Sequence, residues 1–157
     1  MLTLAKEAHL KIIFLDIDGV MNKAQTAPRT RIDGFDAVPS AYLREILIYT
    51  GAKIVVTGAL GRIIPLEVLR GYFRHAGIDG DLVIGVTTNH GATRGECISL
   101  WLHENASIVT CYIVIDDADV HEVAPHENCL VHTQWNTGMN RENANRAIIL
   151  LNQQRHP

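Results

Sequence analysis

The sequence has few cysteines and no long hydrophobic run, and each absence excludes a class of protein. Its three cysteines lie far apart, and none forms a C-x-x-C pair: Cys97, Cys111 and Cys129. Scattered thiols in an odd number indicate buried, reduced side chains rather than disulfides or a zinc site. No apolar run approaches the roughly 18 to 20 residues of a membrane span. Residues 1–10 lack the apolar core of a signal peptide, so we expect a cytoplasmic protein with no membrane partner.

The chain also has little excess charge, no internal repeat and no low-complexity tract. Its formal net charge of −3 gives no general attraction to nucleic acid, although a local basic patch remains compatible with it. The 157 residues fit one domain of ordinary size, which we expect to span residues 1–157. A domain of this length buries about two thirds of its unfolded surface and needs no crosslinks.

Short apolar runs alternate with helical patterns along the chain. Strands are predicted at Lys11–Leu15, Ile54–Val56, Leu82–Val86, Tyr112–Ile115 and Leu130–His132. Helices are predicted at Ser40–Tyr49, Pro65–Ala76, Gly95–Glu104 and Asn140–Gln153. The alternation predicts an α/β fold, a Rossmann-like parallel sheet of about five strands with helices on both faces.

Polar side chains follow three of the predicted strands. Asp16 and Asp18 follow the first strand, Thr57 the second, and Asp116 and Asp117 the fourth. Parallel sheets place their sites at the carboxyl ends of strands, so these side chains should converge. Carboxylates that lie so near one another repel unless a cation binds between them, and Mg²⁺ prefers oxygen ligands. A single aspartate here is as often a helix cap or turn former, but two acidic clusters with a threonine favour a site.

The segment F-L-D-I-D-G-V, residues 14–20, resembles the first motif of the haloacid-dehalogenase-like (HAD) superfamily. Thr57, Arg94 and the pair Asp116-Asp117 match the other three motifs in order. A narrower similarity lies in R-G-E-C-I-S-L-W-L, Y-I-V-I-D-D and L-V-H-T. It is to small HAD domains found in RNA-repair proteins and as stand-alone bacterial proteins. Those domains usually carry a serine-rich stretch followed by Trp-Arg after the second strand, whereas this chain reads T-G-A-L-G-R.

The resemblance implies a phosphoric monoester hydrolase that requires Mg²⁺ and forms an aspartyl phosphate. Asp16 would be the nucleophile. Asp18 would protonate the leaving oxygen and then deprotonate the attacking water. Thr57 and Arg94 would bind phosphoryl oxygens. The implied metal ligands are Asp16, the main-chain carbonyl of Asp18, and Asp116 or Asp117.

Three further positions are assigned to substrate binding. Gly19 permits a tight turn whose free N–H groups, across residues 17–20, are expected to cradle phosphoryl oxygens. Gly58 directly follows Thr57. Arg62 lies just beyond Gly58, on the same edge of the sheet. It either contacts a substrate phosphate or is a solvated loop arginine, and the sequence favours neither.

Neither gap between the motifs can hold a full cap domain. Asp18 and Thr57 are separated by 38 residues, and Thr57 and Arg94 by 36. By resemblance, an open site implies a large phosphorylated substrate such as a nucleic-acid end or a phosphoprotein, or closure by a partner subunit. The loop at residues 22–38 either contacts a phosphate backbone or is a plain surface loop, and the sequence favours neither. It carries three cations: Lys23, Arg29 and Arg31.

For two pairs of residues in the last third of the chain, a structural role is favoured over a functional one. His121 and His126 lie in a loop, where a histidine is more often solvated than a metal ligand. Trp135 and Asn136 lie in a polar loop after the fifth strand, and a turn with a partly buried ring is favoured over a substrate contact.

A capless phosphatase acting on a nucleic-acid end is therefore the leading hypothesis, with three alternatives. These are a small-molecule phosphatase closed by oligomerisation, a metal-dependent nuclease that activates water directly, and a catalytically silent binding module. The D-x-D-G turn with Thr57 and Arg94 disfavours the nuclease, and the intact motifs disfavour the silent module. A signalling receiver domain would need an aspartate after the third strand, and none is present.

Overall fold

The structure, a computed structural model, describes residues 9–23, 34–88 and 92–153. Five parallel strands form one sheet: β1 Leu10–Leu15, β2 Lys53–Val56, β3 Val83–Val86, β4 Val109–Asp116 and β5 Leu130–His132. The α-helices are α1 Ala37–Thr50, α2 Ala59–Ile63, α3 Leu66–His75, α4 Arg94–Glu104 and α5 Arg141–Gln153. Short 3₁₀ helices span Gly80–Leu82, Val120–Val123 and Glu127–Cys129. The predicted fold class is confirmed.

The strand order β3-β2-β1-β4-β5 places β1 at the centre of the sheet. The chain first builds outward from β1 through β2 to β3, and then returns to the other side of β1 with β4. The order therefore reverses between β1 and β4. Open α/β sheets bind their ligands at such a reversal, outside the carboxyl ends of the strands. Asp16 and Asp116 stand at this point.

Side chains of β1 alternate between two hydrophobic cores, one on each face of the sheet. Ile13 and Leu15 are fully buried in the core shared with α1, α3 and α5. Ile12 and Phe14 are fully buried in the core on the α4 face. The Phe14 ring meets the Trp101 ring edge-on, at 5.5 Å between centroids, which confirms the predicted core position of Trp101. Full burial contributes about 1.5–3 kcal/mol for each such side chain, so the centre of the sheet is a rigid base.

The observed elements differ from the predicted ones in a few places. Helix α2 was not predicted, because it is five residues long and buries only Leu60 and Gly61, too few for a periodic signal. Helix α1 begins at Ala37 rather than Ser40, with Pro39 inside its first turn, where a missing N–H is tolerated. Leu82 belongs to a 3₁₀ helix rather than to β3.

The structure also bears on the cysteines, the membrane and the cap domain. The three cysteines, all within the described ranges, are thiols rather than disulfides, and Cys97 and Cys111 are buried as predicted. No helix in the described part of the chain is long and apolar enough to cross a membrane. The segments between the motifs hold α1 on one side and α2, α3 and β3 on the other, so they carry no cap domain within the described ranges.

Candidate active site

Backbone hydrogen bonds beyond the ends of the strands hold the first site residues in place. The Asp16 N–H donates to the Ile115 carbonyl at 3.0 Å. The Thr57 N–H donates to the Leu15 carbonyl at 2.8 Å. Asp116 is the last residue of β4. Asp16, Thr57 and Asp116 are therefore positioned by the sheet itself rather than by loops.

Three of the four predicted carboxylates come together at this edge. Asp16, Asp116 and Asp117 each offer a carboxylate oxygen, and these oxygens all lie within 4.8 Å of one another. Asp16 and Asp116 are buried and Asp117 is half-buried. No other cluster of potential metal ligands of this kind occurs among the residues that the structure describes.

The crowding of negative charge changes how the acidic groups titrate. Burial raises the pKa of Asp16 well above its ordinary value, the charge of Asp116 raises it further, and Arg94 opposes the shift. Burial also raises the pKa of Asp117, and the charge of Asp116 adds to that effect. A side-chain hydrogen bond joins Asp16 to Asp117. A divalent cation bound by these carboxylates would relieve the same repulsion that a proton relieves.

Arg94 is the first residue of α4, and a capping box fixes that end of the helix. The Thr93 hydroxyl accepts from the Glu96 N–H at 3.2 Å, and the Glu96 carboxylate accepts from the Thr93 N–H at 3.0 Å. The Arg94 guanidinium forms a close ion pair with Asp116 and lies 3.5 Å from Asp16 Oδ2. Burial alone would lower the pKa of Arg94, but the carboxylates of Asp16 and Asp116 outweigh it and raise the pKa. Arg94 therefore stays charged beside Asp16.

Both carboxylate oxygens of Asp116 are already engaged. Oδ2 pairs with Arg94, and Oδ1 accepts from the Ala118 N–H at 2.8 Å. The Asp116 side chain is fully buried. Asp117, which is half-buried, has the more accessible carboxylate of the pair.

Thr57 and Gly58 follow β2, which lies on the other side of β1 from β4 and its acidic pair. The Thr57 hydroxyl is buried and makes no hydrogen bond to any described residue. A buried hydroxyl left in this state costs about 1–3 kcal/mol, which a ligand oxygen would recover. Gly58 has a φ of 84°, and a Cβ there would lie 2.6 Å from Asp16 Oδ1. Only glycine lets the backbone approach the Asp16 carboxylate this closely.

The turn after Asp16 is closed by its own hydrogen bonds. The Gly19 N–H donates to the Asn22 carbonyl at 2.8 Å, and the Val20 N–H donates to the Ile17 carbonyl at 3.1 Å. These two N–H groups are therefore engaged within the turn, and a cradle for phosphoryl oxygens built from the rest of residues 17–20 stays a prediction. Gly19 is required for a different reason, since a Cβ there would lie 2.2 Å from Asp117 Oδ2.

The remaining predicted residues lie around this centre. Asp18 is half-buried and its backbone bridges to Asn22, while its roles in proton transfer and metal binding stay predictions. Arg62 is exposed in the last turn of α2, and its substrate contact also stays a prediction. Lys23 is exposed. Arg29 and Arg31 lie outside the described residues.

His132 and Thr133, at the carboxyl end of β5, also lie at this edge of the sheet. Neither was among the predicted site residues. The Thr133 hydroxyl donates to the Gly19 carbonyl at 2.9 Å. His132 Nε2 lies 3.1 Å from the Asp117 carbonyl. The strand-end rule that located the aspartates also applies to His132 and Thr133, since they end the last parallel strand. The L-V-H-T segment, residues 130–133, could therefore have pointed to them.

Comparison with known families adds one match. The model of a family described as the HAD domain in Swiss Army Knife RNA repair proteins matches residues 12–144. The matched range includes every site residue described above. No curated protein and no solved structure matches the chain.

Proposed function

Because the chain belongs to the family of HAD domains in Swiss Army Knife RNA repair proteins, we propose that it is a Mg²⁺-dependent phosphatase that forms an aspartyl phosphate on Asp16. Family membership supports a HAD-like hydrolase at the level of the superfamily, which consists mostly of phosphohydrolases. The observation that carries the finer proposal is the placement of Asp16, whose buried carboxylate lies close to a cation, Arg94, and to a second carboxylate, Asp117.

The donor set fits Mg²⁺. Three carboxylates face one arginine, so the cluster has excess negative charge in a buried place. Asp16 and Asp117 would hold the ion, together with the Asp18 carbonyl, because both oxygens of Asp116 are engaged elsewhere. When bound, Mg²⁺ would neutralise charge on the phosphoryl group and on these carboxylates.

Hydrolysis of the phosphate ester would proceed in two displacements at phosphorus. In the first, an Asp16 carboxylate oxygen attacks phosphorus, the bond from phosphorus to the leaving oxygen breaks, and Asp18 gives that oxygen a proton. In the second, Asp18 takes a proton from water, the water oxygen attacks phosphorus, and the bond to Asp16 breaks. Arg94 and the Thr57 hydroxyl bind the phosphoryl oxygens in both steps. Asp116 acts through Arg94, whose guanidinium it holds.

We propose a nucleic-acid end as the substrate. The site lies on an open edge, and a cavity of about 620 Å³ beside Asp117 is lined by Asp119, His132 and neighbouring residues. An open cleft gains specificity from contacts outside the reacting group, which a long substrate supplies. The description of the family as part of RNA repair proteins agrees with this choice.

Release of phosphate from end-phosphorylated oligonucleotides and from small metabolites tests the proposal. We expect a higher kcat/KM for the oligonucleotides, which falls as salt rises because backbone contacts release counterions. EDTA should stop the reaction and Mg²⁺ should restore it. A preference for metabolites would favour a small-molecule phosphatase, and cleavage of the strand without phosphate release would favour a nuclease. Full activity in EDTA would contradict the metal requirement.

A further inference from the structure

The loop at residues 134–138, which follows β5, is flanked on each side by a residue that is hydrogen-bonded to the turn after Asp16. Gln134 and Gly138 form an antiparallel bridge that closes the loop. Just before the loop, the Thr133 hydroxyl bonds to the Gly19 carbonyl at 2.9 Å. Just after it, the Met139 N–H donates to the Val20 carbonyl at 2.8 Å. The loop is therefore held in a fixed relation to the turn that carries Asp18.

Trp135 lies in this loop and is 62% exposed. The residue lies in a turn, as predicted, and its side chain is more exposed than buried. The other tryptophan, Trp101, packs against Phe14 in the core. An indole exposed to this extent on an anchored loop offers an aromatic face on which a ring of a ligand can stack.

Two cavities lie between Asp117 and the start of this loop. The cavity of about 620 Å³ beside Asp117 is lined by Leu130 and His132. A second cavity of about 410 Å³ is lined by the same two residues and also by Gln134 and Arg146. The two cavities share these two lining residues, and we call the pair the groove. It runs from Asp117 to Gln134, the residue next to Trp135, and its second cavity is lined by one cation, Arg146, and one carboxylate, Glu142.

We infer that Trp135 is a stacking platform for the base of a single-stranded nucleic-acid end whose terminal phosphate lies at Asp16. The inference rests on the proposed function and adds the residue that binds the base. Base–aromatic stacking needs an exposed, positioned ring and tolerates every base, because each has a π face. The groove supplies a path for the backbone beside Arg146. Bases within a duplex are already stacked on one another, so the platform serves an unpaired end.

A binding cycle tests the inference. The probe is a short single-stranded RNA with a terminal phosphate, and its partner is the same RNA with an abasic site at the phosphorylated nucleotide, both with Mg²⁺ omitted. We expect Trp135→Ala to raise the Kd for the intact RNA by on the order of 5- to 100-fold, the range for loss of one stacked base. The abasic RNA should bind both proteins almost equally. Trp135→Phe should recover most of the affinity.

Tyr49→Ala is the matched control. Tyr49 is 66% exposed, but it lies at the end of α1 that leads into the start of β2, at the opposite edge of the sheet. Its replacement should change neither Kd. If Trp135→Ala weakens intact and abasic RNA equally, or weakens neither, the stacking role is refuted. A DNA oligomer of the same sequence shows whether the sugar contributes.

Failure of the proposed function gives a different result. Acetyl phosphate has no base, and its turnover by the wild-type protein with Mg²⁺ tests the phosphatase alone. A protein that hydrolyses neither acetyl phosphate nor phosphorylated RNA is not the proposed enzyme, whatever the binding cycle shows. A protein that hydrolyses acetyl phosphate but binds RNA without regard to Trp135 keeps the proposed function and loses the stacking platform.

Discussion

Asp16 is only 8% exposed, and its carboxyl group lies among the side chains of Asp116, Asp117 and Arg94. Burial of several acidic groups side by side is unfavourable, and the raised pKa values of Asp16 and Asp117 reflect that cost. A fold keeps such an arrangement where function needs it. At the scale of the residue, the acidic cluster therefore lowers the stability of the metal-free fold, and a bound cation would offset that cost.

Replacement of Asp16 by asparagine should stabilise the metal-free protein at neutral pH. The folded pKa of Asp16 lies above its unfolded value of about 3.9, so the folded state keeps a proton that the unfolded chain releases. The free energy of unfolding of the wild type therefore falls, relative to Asp16→Asn, as the pH rises above about 4 towards the folded pKa. Thermal unfolding in EDTA should give similar Tm values near pH 4 and a higher Tm for the variant near pH 7.

The surface variant Glu122→Gln is the control for this experiment. Glu122 is exposed, so its replacement should not produce the same growth of the Tm difference with pH. A wild-type protein that is more stable than Asp16→Asn at pH 7 in EDTA would contradict the electrostatic account.

Sequence reasoning located the acidic residues because strand ends in a parallel sheet follow one rule. It did not find the engagement of both Asp116 oxygens, since that depends on where the α4 N-terminus and the Ala118 N–H lie in space. The closure of the Gly19 turn by Asn22 also depends on a backbone path that no residue pattern encodes.

Gly58 and Gly71 give a matched pair of glycine substitutions. A Cβ at Gly58 would strike Asp16 Oδ1, whereas a Cβ at Gly71, inside α3, would meet nothing within 4 Å. Gly58→Ala should lower kcat by at least about ten-fold, because small misplacements of reacting groups are costly. Gly71→Ala should leave kcat unchanged and raise the free energy of unfolding by about 0.5–1 kcal/mol. Equal kcat values for the two variants would contradict the close approach of Gly58.

Helix α4 is the element that brings Arg94 to the carboxylates. Its first turn rests on the loop that follows β4, and a Cβ at Gly95 would lie 2.0 Å from the Ala124 carbonyl. His126, from the same loop, lies 3.1 Å from the Gly95 carbonyl and 2.8 Å from the Tyr112 hydroxyl. His126 is buried, so its interpretation as a solvated loop histidine is wrong. The amphipathic spacing of α4 predicted the helix, but its anchoring involves backbone groups that carry no sequence signal.

Removal of the α4 cap should affect both stability and catalysis. Thr93→Ala removes the hydroxyl that accepts from the Glu96 N–H and should cost about 0.5–2 kcal/mol of unfolding free energy. Arg94 follows directly, so kcat should also fall. Thr93→Ser keeps a capping hydroxyl and should restore both quantities, measured by urea denaturation and phosphate release. Loss of stability with unchanged kcat would show that the cap does not position Arg94.

At the scale of the whole molecule, one sheet reversal accounts for the site. Strands β1 and β4 deliver Asp16 and the acidic pair to the same edge, and no cap covers them in the described part of the chain. The lengths between the motifs predicted this openness correctly, because length limits what a segment can form. The exposure of Trp135 and the cavity next to Gln134 could not be predicted in the same way, since both exist only in the folded chain.

The covalent intermediate on Asp16 tests the central claim most directly. The wild-type protein and Asp16→Asn are mixed with acetyl phosphate and Mg²⁺, quenched in acid within the first turnover, and digested for mass spectrometry. We expect one phosphoryl group on the peptide that contains Asp16 in the wild type, and neither the label nor turnover in the variant. Turnover retained by Asp16→Asn, or a phosphoryl group on another residue, would contradict the assignment of Asp16 as the nucleophile.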